Sequence, residues 1–435
     1  MKNYLIKYTL MAALGCTALI QSGCKKDFTN PNAATDEQVF SSPKGLTGVV
    51  VGLQRVYTLG RGSTLYNLIT VNGLTTNELF VVNPGNTSEV QLGTGGTAVD
   101  GNNSMLTTFW TTCNKVVYDA DKVIASAQLL SDKNYASGLI AYASIFKALS
   151  VGAMAQFWEK VPETTGTSVG FITRVDGFKM AITVIDNAMT AIAANPISAS
   201  FTSNVPAGID ISNTLNALKA RYSLYAGLYA QALTAANAVD LSKKSSFNFD
   251  PLSLNPVFEV ATSTNNVVQP KDSALGLVAG FQPDFADKRL AFYTSLNTTI
   301  APRYRINGFC NAATTAFPVF LPGEITLIKA ECYARATTPD LTNTLVELNK
   351  VVTKQPAADP FGVGAGLATI TGSFTQAQLL DSIYKHRSIE LFMSGHKLED
   401  MRRFNRPTTE RRRNLMPYPL RERDNNPNTP ADPAF

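Results

Sequence analysis

The sequence predicts an all-α protein made of tetratricopeptide-like helix pairs, joined by long irregular loops with minor β structure. Three observations predict this. First, apolar residues recur at helical spacing along most of the chain, as Phe109, Cys113, Val116, Val117 and Val123 do in "MLTTFWTTCNKVVYDADKVIASAQLL". Second, alternating period-2 runs are few. Third, Gly227, Tyr229, Ala232 and Ala236 stand in a pattern of small residues that lets two helices pack closely, as in a tetratricopeptide repeat. "AECYARA" followed by "LVELNKVV" offers a second, degenerate pair.

The N-terminus reads as a secretory signal over residues 1–23. Lys2 and Lys7 form a basic start, Tyr8 to Ile20 carries no charge, and Ser22-Gly23 is small. The uncharged run is shorter than the roughly 20 residues a spanning helix needs. Cys24 follows directly, in a setting that resembles a bacterial lipobox. This predicts cleavage before Cys24 and acylation of its thiol, although Gln21 stands where an aliphatic residue is usual. Cys16 is a rival site, but cleavage there would leave Thr17 to Ile20 on the mature chain. Residues 24–35 then form a polar tether, and 36–435 the folded domain.

A helix is expected near Asp36 and another around Gly45 to Tyr57. Residues 60–105 are rich in Gly, Asn and Thr and contain "VVNPGNTSEVQLGTGGTAVDGNN" (81–103), which reads as a long irregular loop, a kind that is usually functional or disordered. Helices follow at 105–130, 136–158 and 175–194, the last stopped by Asn195-Pro196. The span 211–241 reads as a helix pair broken at Gly227. Residues 245–320 are irregular, and helices at 324–336, 341–352 and 375–395 complete the series.

Composition narrows the function. Hydrophobic residues make up 45% of the chain, enough for a sizeable core. Loss of Lys2 and Lys7 would lower the formal net charge from +5 to +3, too weak a balance to argue for nucleic acid. Besides Cys24, the mature chain keeps Cys113, Cys310 and Cys332. That odd number in a chain of this size gives no disulfide framework.

Taken together, several stretches resemble the SusD/RagB outer-membrane nutrient-binding lipoproteins. They are "CKKDFTNPNAATDEQVF", "FWTTCNKVVYDADKVI", "FKALSVGAMAQFWEKVPET", "VIDNAMTAI", "FPVFLPGEITLIKAECYARA" and, most specific, "YKHRSIELFMSGHKLEDMRRF". The chain departs from the family pattern at His386, where Glu is common, and at Leu398-Glu399, where an aromatic pair is usual. The resemblance implies a lipid-anchored protein of the outer membrane, facing the cell surface. It would capture a glycan or oligosaccharide, or in some members a peptide, and pass it to a SusC-like TonB-dependent outer-membrane transporter. No chemistry on the ligand, no cofactor, no metal and no nucleic-acid partner are implied.

Glycan capture needs exposed aromatic faces with amides, carboxylates or guanidinium groups beside them. The binding candidates are Tyr66, Asn77, Glu78 and Phe80 at the first loop, and Phe281, Phe285, Tyr293, Arg303 and Tyr304 in the second irregular region. Trp110 and Trp158 lie in helical patterns and read as core. "GTSVG" matches the nucleophile elbow and would make Ser168 a hydrolase nucleophile with His386 or His396, but it lacks the strand and helix that the elbow requires. "LGTGGT" lacks the Gly-Lys-Ser/Thr ending of a phosphate loop. His386 and Glu390 share a helix face without a third metal ligand. Arg387–Glu390 and Glu399–Arg403 have helix-pair spacing. The arginines from Arg402 to Arg423 read as a solvated basic surface. The rival function is an exported scaffold that binds protein partners through its helical repeats.

Overall fold

Side-chain caps and apolar periodicity set the helices. In the computed structural model, residues 35–435 are described, and Phe40–Phe435 packs as one unit. The signal, Cys16, Cys24 and the tether up to residue 34 lie outside the described residues. The short helix α1 covers Asp36–Phe40. Ser42 caps α2 (Pro43–Thr58) by accepting from the Gly45 amide, and Pro43 sits at the start, where its missing N–H costs nothing.

Between 60 and 105 the chain carries regular elements, and the loop expected over 81–103 is corrected, since part of it is helical. The span holds α3 (Thr64–Thr75), strand β1 (Leu79–Val81) and α4 (Thr87–Thr94). Every residue of α3 is buried. Its polar side chains are satisfied within the helix: the Thr75 and Thr76 hydroxyls donate to the Val71 and Asn72 carbonyls, and the Asn67 amide donates to the Ser63 carbonyl.

The long helices follow the predicted spans closely. They are α5 (Ser104–Ala127), α6 (Lys133–Phe157) and α7 (Arg174–Ala194), capped by Asn103, Asp132 and Thr173. Helix α6 is long and apolar enough to cross a membrane, but protein buries 94% of its most apolar window. It is the central core helix, packed between α5 and α7 and against α2. After the one-turn helix α8 (Ala199–Thr202), α9 (Ile211–Tyr225) and α10 (Tyr229–Asn237) form the predicted hairpin. Gly227 makes the break at φ +75°, a conformation glycine adopts without steric cost. Ala232 and Ala236 are fully buried, as close helix packing requires.

Residues 245–320 are largely irregular, as expected, and carry short strands and the helix α11 (Lys288–Tyr293). Then come α12 (Pro322–Ala334), α13 (Leu341–Val352), α14 (Gln376–Glu390), α15 (Lys397–Arg403) and α16 (Leu420–Asn425). Thr375 and Gln378 form a capping box on α14. The α9–α10 hairpin packs on α12, which packs in turn on α13 and α14. Arg221 of α9 is tied to Glu324 of α12 through a buried bidentate pair, at 2.6 and 2.7 Å.

Among the described residues the β structure consists of four two-stranded antiparallel sheets. Strands β2 (Lys160–Pro162) and β3 (Phe171–Thr173) form a hairpin, and β4 (Ser246–Phe247) pairs with β8 (Phe317–Pro318). Strand β6 (Thr294–Leu296) pairs with β7 (Tyr304–Ile306), and β5 (Val268–Pro270) pairs with β1. The buried Gln269 side chain of β5 also accepts from the Ile306 amide at 2.8 Å. The two regions singled out in the sequence are therefore knitted together through β5.

Candidate functional site

The nine binding candidates divide by burial. Tyr66, Glu78 and Tyr293 are corrected: they are 0%, 1% and 2% exposed and cannot present a face to a ligand. Tyr66 belongs to the buried helix α3. The Tyr293 hydroxyl donates to the Glu390 carbonyl at 2.5 Å, and its ring packs on Phe292, Phe309 and Phe392. Phe281 is half-buried between the Tyr384 ring and the Arg406 guanidinium, which lies 4.2 Å from the Phe281 centroid. Phe285 is 90% exposed, Arg303 is exposed, and Tyr304 is half-buried on β7 opposite Leu296.

Asn77 and Phe80 come together in a cleft of about 280 Å³. Leu74, Leu79, Val81, Pro84 and Val90 make its apolar walls, and Thr94, Lys271 and Arg412 its polar ones. The half-buried Phe80 ring supplies an aromatic surface. Asn77 sits at φ +62°, which asparagine tolerates better than most residues, and its Nδ2 donates to the Glu410 carbonyl at 3.0 Å. That contact leaves the Asn77 Oδ1 as an acceptor.

Sequence reasoning missed Lys271 and Arg412. Lys271 follows β5 directly. Arg412 comes from the basic C-terminal stretch, more than 300 residues from Asn77, and its main chain is clamped on both sides. The Arg412 amide donates to the Thr75 carbonyl at 2.8 Å, and its carbonyl accepts from the Gly96 amide at 3.1 Å. Gly95, at φ +76°, allows this approach, because a Cβ there would collide with the Arg412 carbonyl. The "LGTGGT" stretch is thus an ordered seat for the C-terminal chain.

Under the cleft, Glu78 and Lys397 are both buried. The Asn72 amide donates to Glu78 Oε2 at 2.9 Å, and Lys397 Nζ donates to the Leu275 and Gly276 carbonyls at 3.0 Å each. Gly276 packs against the backbone at Asn77 and Glu78, so Lys397 pins the turn that abuts the cleft. Burial pushes the Glu78 carboxyl up to about 7, and burial also pulls the Lys397 ammonium down to about 8. A carboxyl raised on folding contributes stability that is full below its unfolded value of about 4.3 and is lost as the pH rises through 7. In Glu78→Gln, the fall in the denaturant midpoint between pH 5 and pH 7 is therefore expected to flatten relative to the parent protein. An unchanged slope would remove Glu78 as its source.

The remaining motifs resolve into scaffold. Ser168 lies at the exposed turn between β2 and β3, at φ +57°, and its carbonyl accepts from Asn428. It has neither the strand–turn–helix setting of an elbow nor a histidine within hydrogen-bond reach among the described residues. His386 Nδ1 accepts from Arg289 at 2.9 Å, and Glu390 pairs with Arg289 at 3.0 Å and Lys354 at 2.8 Å. No group of three potential metal ligands occurs among the described residues.

The expected Arg387–Glu390 and Glu399–Arg403 pairs are replaced. Arg387 pairs with Asp400, Glu399 with Arg402 and Arg174, and Arg403 with Glu331 and Asp400. The basic stretch is therefore partly internal rather than a solvated surface: Arg413, only 5% exposed, donates to the Gly96 and Val99 carbonyls. Trp110 and Trp158 are core, donating to Glu422 and to the Pro417 carbonyl. Cys113, Cys310 and Cys332 are free and buried.

No family model and no curated protein matches the sequence. Solved structures do match. A SusD superfamily protein from Bacteroides vulgatus superposes with TM-score 0.69 at 14% identity, covering 91% of this chain and 99% of that one. A SusD-like carbohydrate binding protein from Bacteroides fragilis gives 0.66 at 16%, covering 84% and 87%. Another SusD-like carbohydrate binding protein, from Bacteroides vulgatus, gives 0.65 at 14%, covering 83% of each chain. At this identity the likeness speaks for architecture, and over nearly its whole length the chain has the fold of the SusD superfamily.

Proposed function

We propose that this protein is a SusD/RagB-type nutrient-binding lipoprotein. It is held to the outer membrane through a lipid on Cys24, captures a saccharide at the cell surface and passes it to a SusC-like TonB-dependent transporter. It performs no chemistry on the ligand. The carrying observation is the likeness, over 84% and 83% of the chain, to SusD-like carbohydrate binding proteins. The cleft at β1 supports it, since an aromatic ring, an amide and cations around apolar walls are what a sugar ring and its hydroxyls require. The test is calorimetric titration of the mature chain with neutral and acidic glycans and with peptides. Heat with a glycan and no cleavage product is the expected result; heat with peptides alone would overturn the saccharide assignment.

A second reading, a scaffold for protein partners, is favoured by one feature. A groove of about 430 Å³ runs along α13, lined by Leu341, Leu345, Val346, Phe374 and Leu379. Copurification of a soluble protein instead of a membrane barrel would favour that reading.

A further inference from the structure

We propose that the cleft at β1 selects an anionic saccharide, one bearing uronate or sulfate groups; this rests on the capture reading above. The charged residues lining the cleft are Lys271 and Arg412, both cations and both exposed. Neither has a carboxylate within ion-pair distance among the described residues. The nearby acids are engaged elsewhere. Asp272 accepts from the Ala274 amide at 2.8 Å, Glu410 pairs with Arg406 at 2.5 Å, and Glu78 lies buried below, outside the lining.

The two cations differ in how they are held. Arg412 projects from a main chain fixed to α3 on one side and to Gly96 on the other, so its guanidinium is offered from a rigid base. A guanidinium can bind a carboxylate or sulfate with two parallel hydrogen bonds, which adds direction to charge. Lys271 follows Pro270, the β5 partner of Leu79, at the end of the sheet where Asn77 begins the cleft. Its ammonium supplies a point charge.

Phe80 offers an apolar surface to a ring, and Asn77 Oδ1 an acceptor to a hydroxyl. The volume of about 280 Å³ lies just under the range of about 300–1,000 Å³ typical of small-molecule sites. That suits one charged sugar unit of a longer chain. A peptide would call for unpaired backbone donors and acceptors along the cleft, whereas the Arg412 amide and carbonyl are already spent on Thr75 and Gly96.

The test holds the sugar constant and changes only its charge. The mature chain is titrated with oligogalacturonate, with its fully methyl-esterified and therefore neutral counterpart, and with a sulfated galactan oligosaccharide. At least one acidic probe should bind about tenfold or more tightly than the neutral ester, with affinity falling as salt rises. Which acidic probe binds separates uronate from sulfate. Lys271→Gln and Arg412→Gln should each weaken the acidic probe about tenfold with thermal midpoints unchanged, and the double variant should lose the preference for charge. Equal affinity for acid and ester, or an acid preference that survives the double variant, overturns the inference while leaving saccharide capture standing. Absence of binding by these three probes and by neutral glycans overturns both.

Discussion

Replacing Asp400 with alanine is expected to destabilise the protein by about 3–5 kcal/mol, the cost of leaving a buried charge without its partner. Asp400 is 1% exposed and binds Arg387 at 2.9 and 3.1 Å and Arg403 at 2.7 Å. Arg387 is 0% exposed and has no other carboxylate in ion-pair contact among the described residues, so its guanidinium would be stranded. Arg403 would keep Glu331 and its place over the Tyr225 and Phe404 rings.

The effect should depend on pH. Burial acts to raise the Asp400 carboxyl, but the Arg387 and Arg403 charges outweigh it and hold the group below its usual value. A lowered carboxyl contributes stability that is present above its unfolded value of about 3.9 and is lost as the pH falls through the folded value. The difference between Asp400→Ala and the parent should therefore be full at neutral pH and shrink below about pH 4. The coupled replacement Arg387→Met with Asp400→Leu should recover most of the loss, since an apolar pair of similar size is often no worse than a buried ion pair. A denaturant midpoint for Asp400→Ala within about 1 kcal/mol of the parent would show that this cluster does not brace the helices α14, α15 and α12.

Gly323→Ala is expected to cost about 3 kcal/mol or more, although alanine normally favours a helix over glycine by roughly 0.5–1 kcal/mol. Gly323 lies in the first turn of α12, and a Cβ there would fall inside the van der Waals shell of Glu390 Oε1. Glu390 cannot yield easily. It is fully buried and tied to Arg289 and Lys354, and Arg289 is in turn bound to Asp287 at 2.7 Å. The added methyl must break those pairs or push α12 away from α14. A double-mutant cycle isolates the cause: in a Glu390→Ala background the same glycine substitution should be neutral or slightly stabilising. An equal cost in both backgrounds would mean that the penalty arises elsewhere along α12.

Asp400, and Glu390 against which Gly323 packs, both lie in "YKHRSIELFMSGHKLEDMRRF", the stretch with the most specific family resemblance. Its residue types pointed to ion pairing, and pairing is what the structure shows. The partners were misassigned because helix spacing ranks only near neighbours. Arg387 reaches Asp400 across the turn between α14 and α15, and Arg403 reaches Glu331 on another helix. Where a carboxylate is desolvated in a core, the partner is whichever cation the packing brings to it.

The helices were legible for a simple reason. Apolar spacing, caps such as Thr375 with Gln378, and breaks such as Gly227 act within a few residues of chain, and the tertiary fold uses them unchanged. Helix α3 was not legible, because its Thr and Asn content signals a loop when exposed. Only full burial turns those side chains onto their own backbone carbonyls. The binding candidates divided on the same ground. Asn77 and Phe80 line a cleft, whereas Tyr66, Glu78 and Tyr293, of equally suggestive types, are buried. The sequence by itself determined the all-α class, the helix pairs and the core tryptophans, because local periodicity encodes them. Only the tertiary structure decided which aromatics face solvent, which arginines are internal, and that Lys271 and Arg412 line the same cleft as Phe80. Those outcomes depend on contacts between segments hundreds of residues apart, which no local pattern specifies.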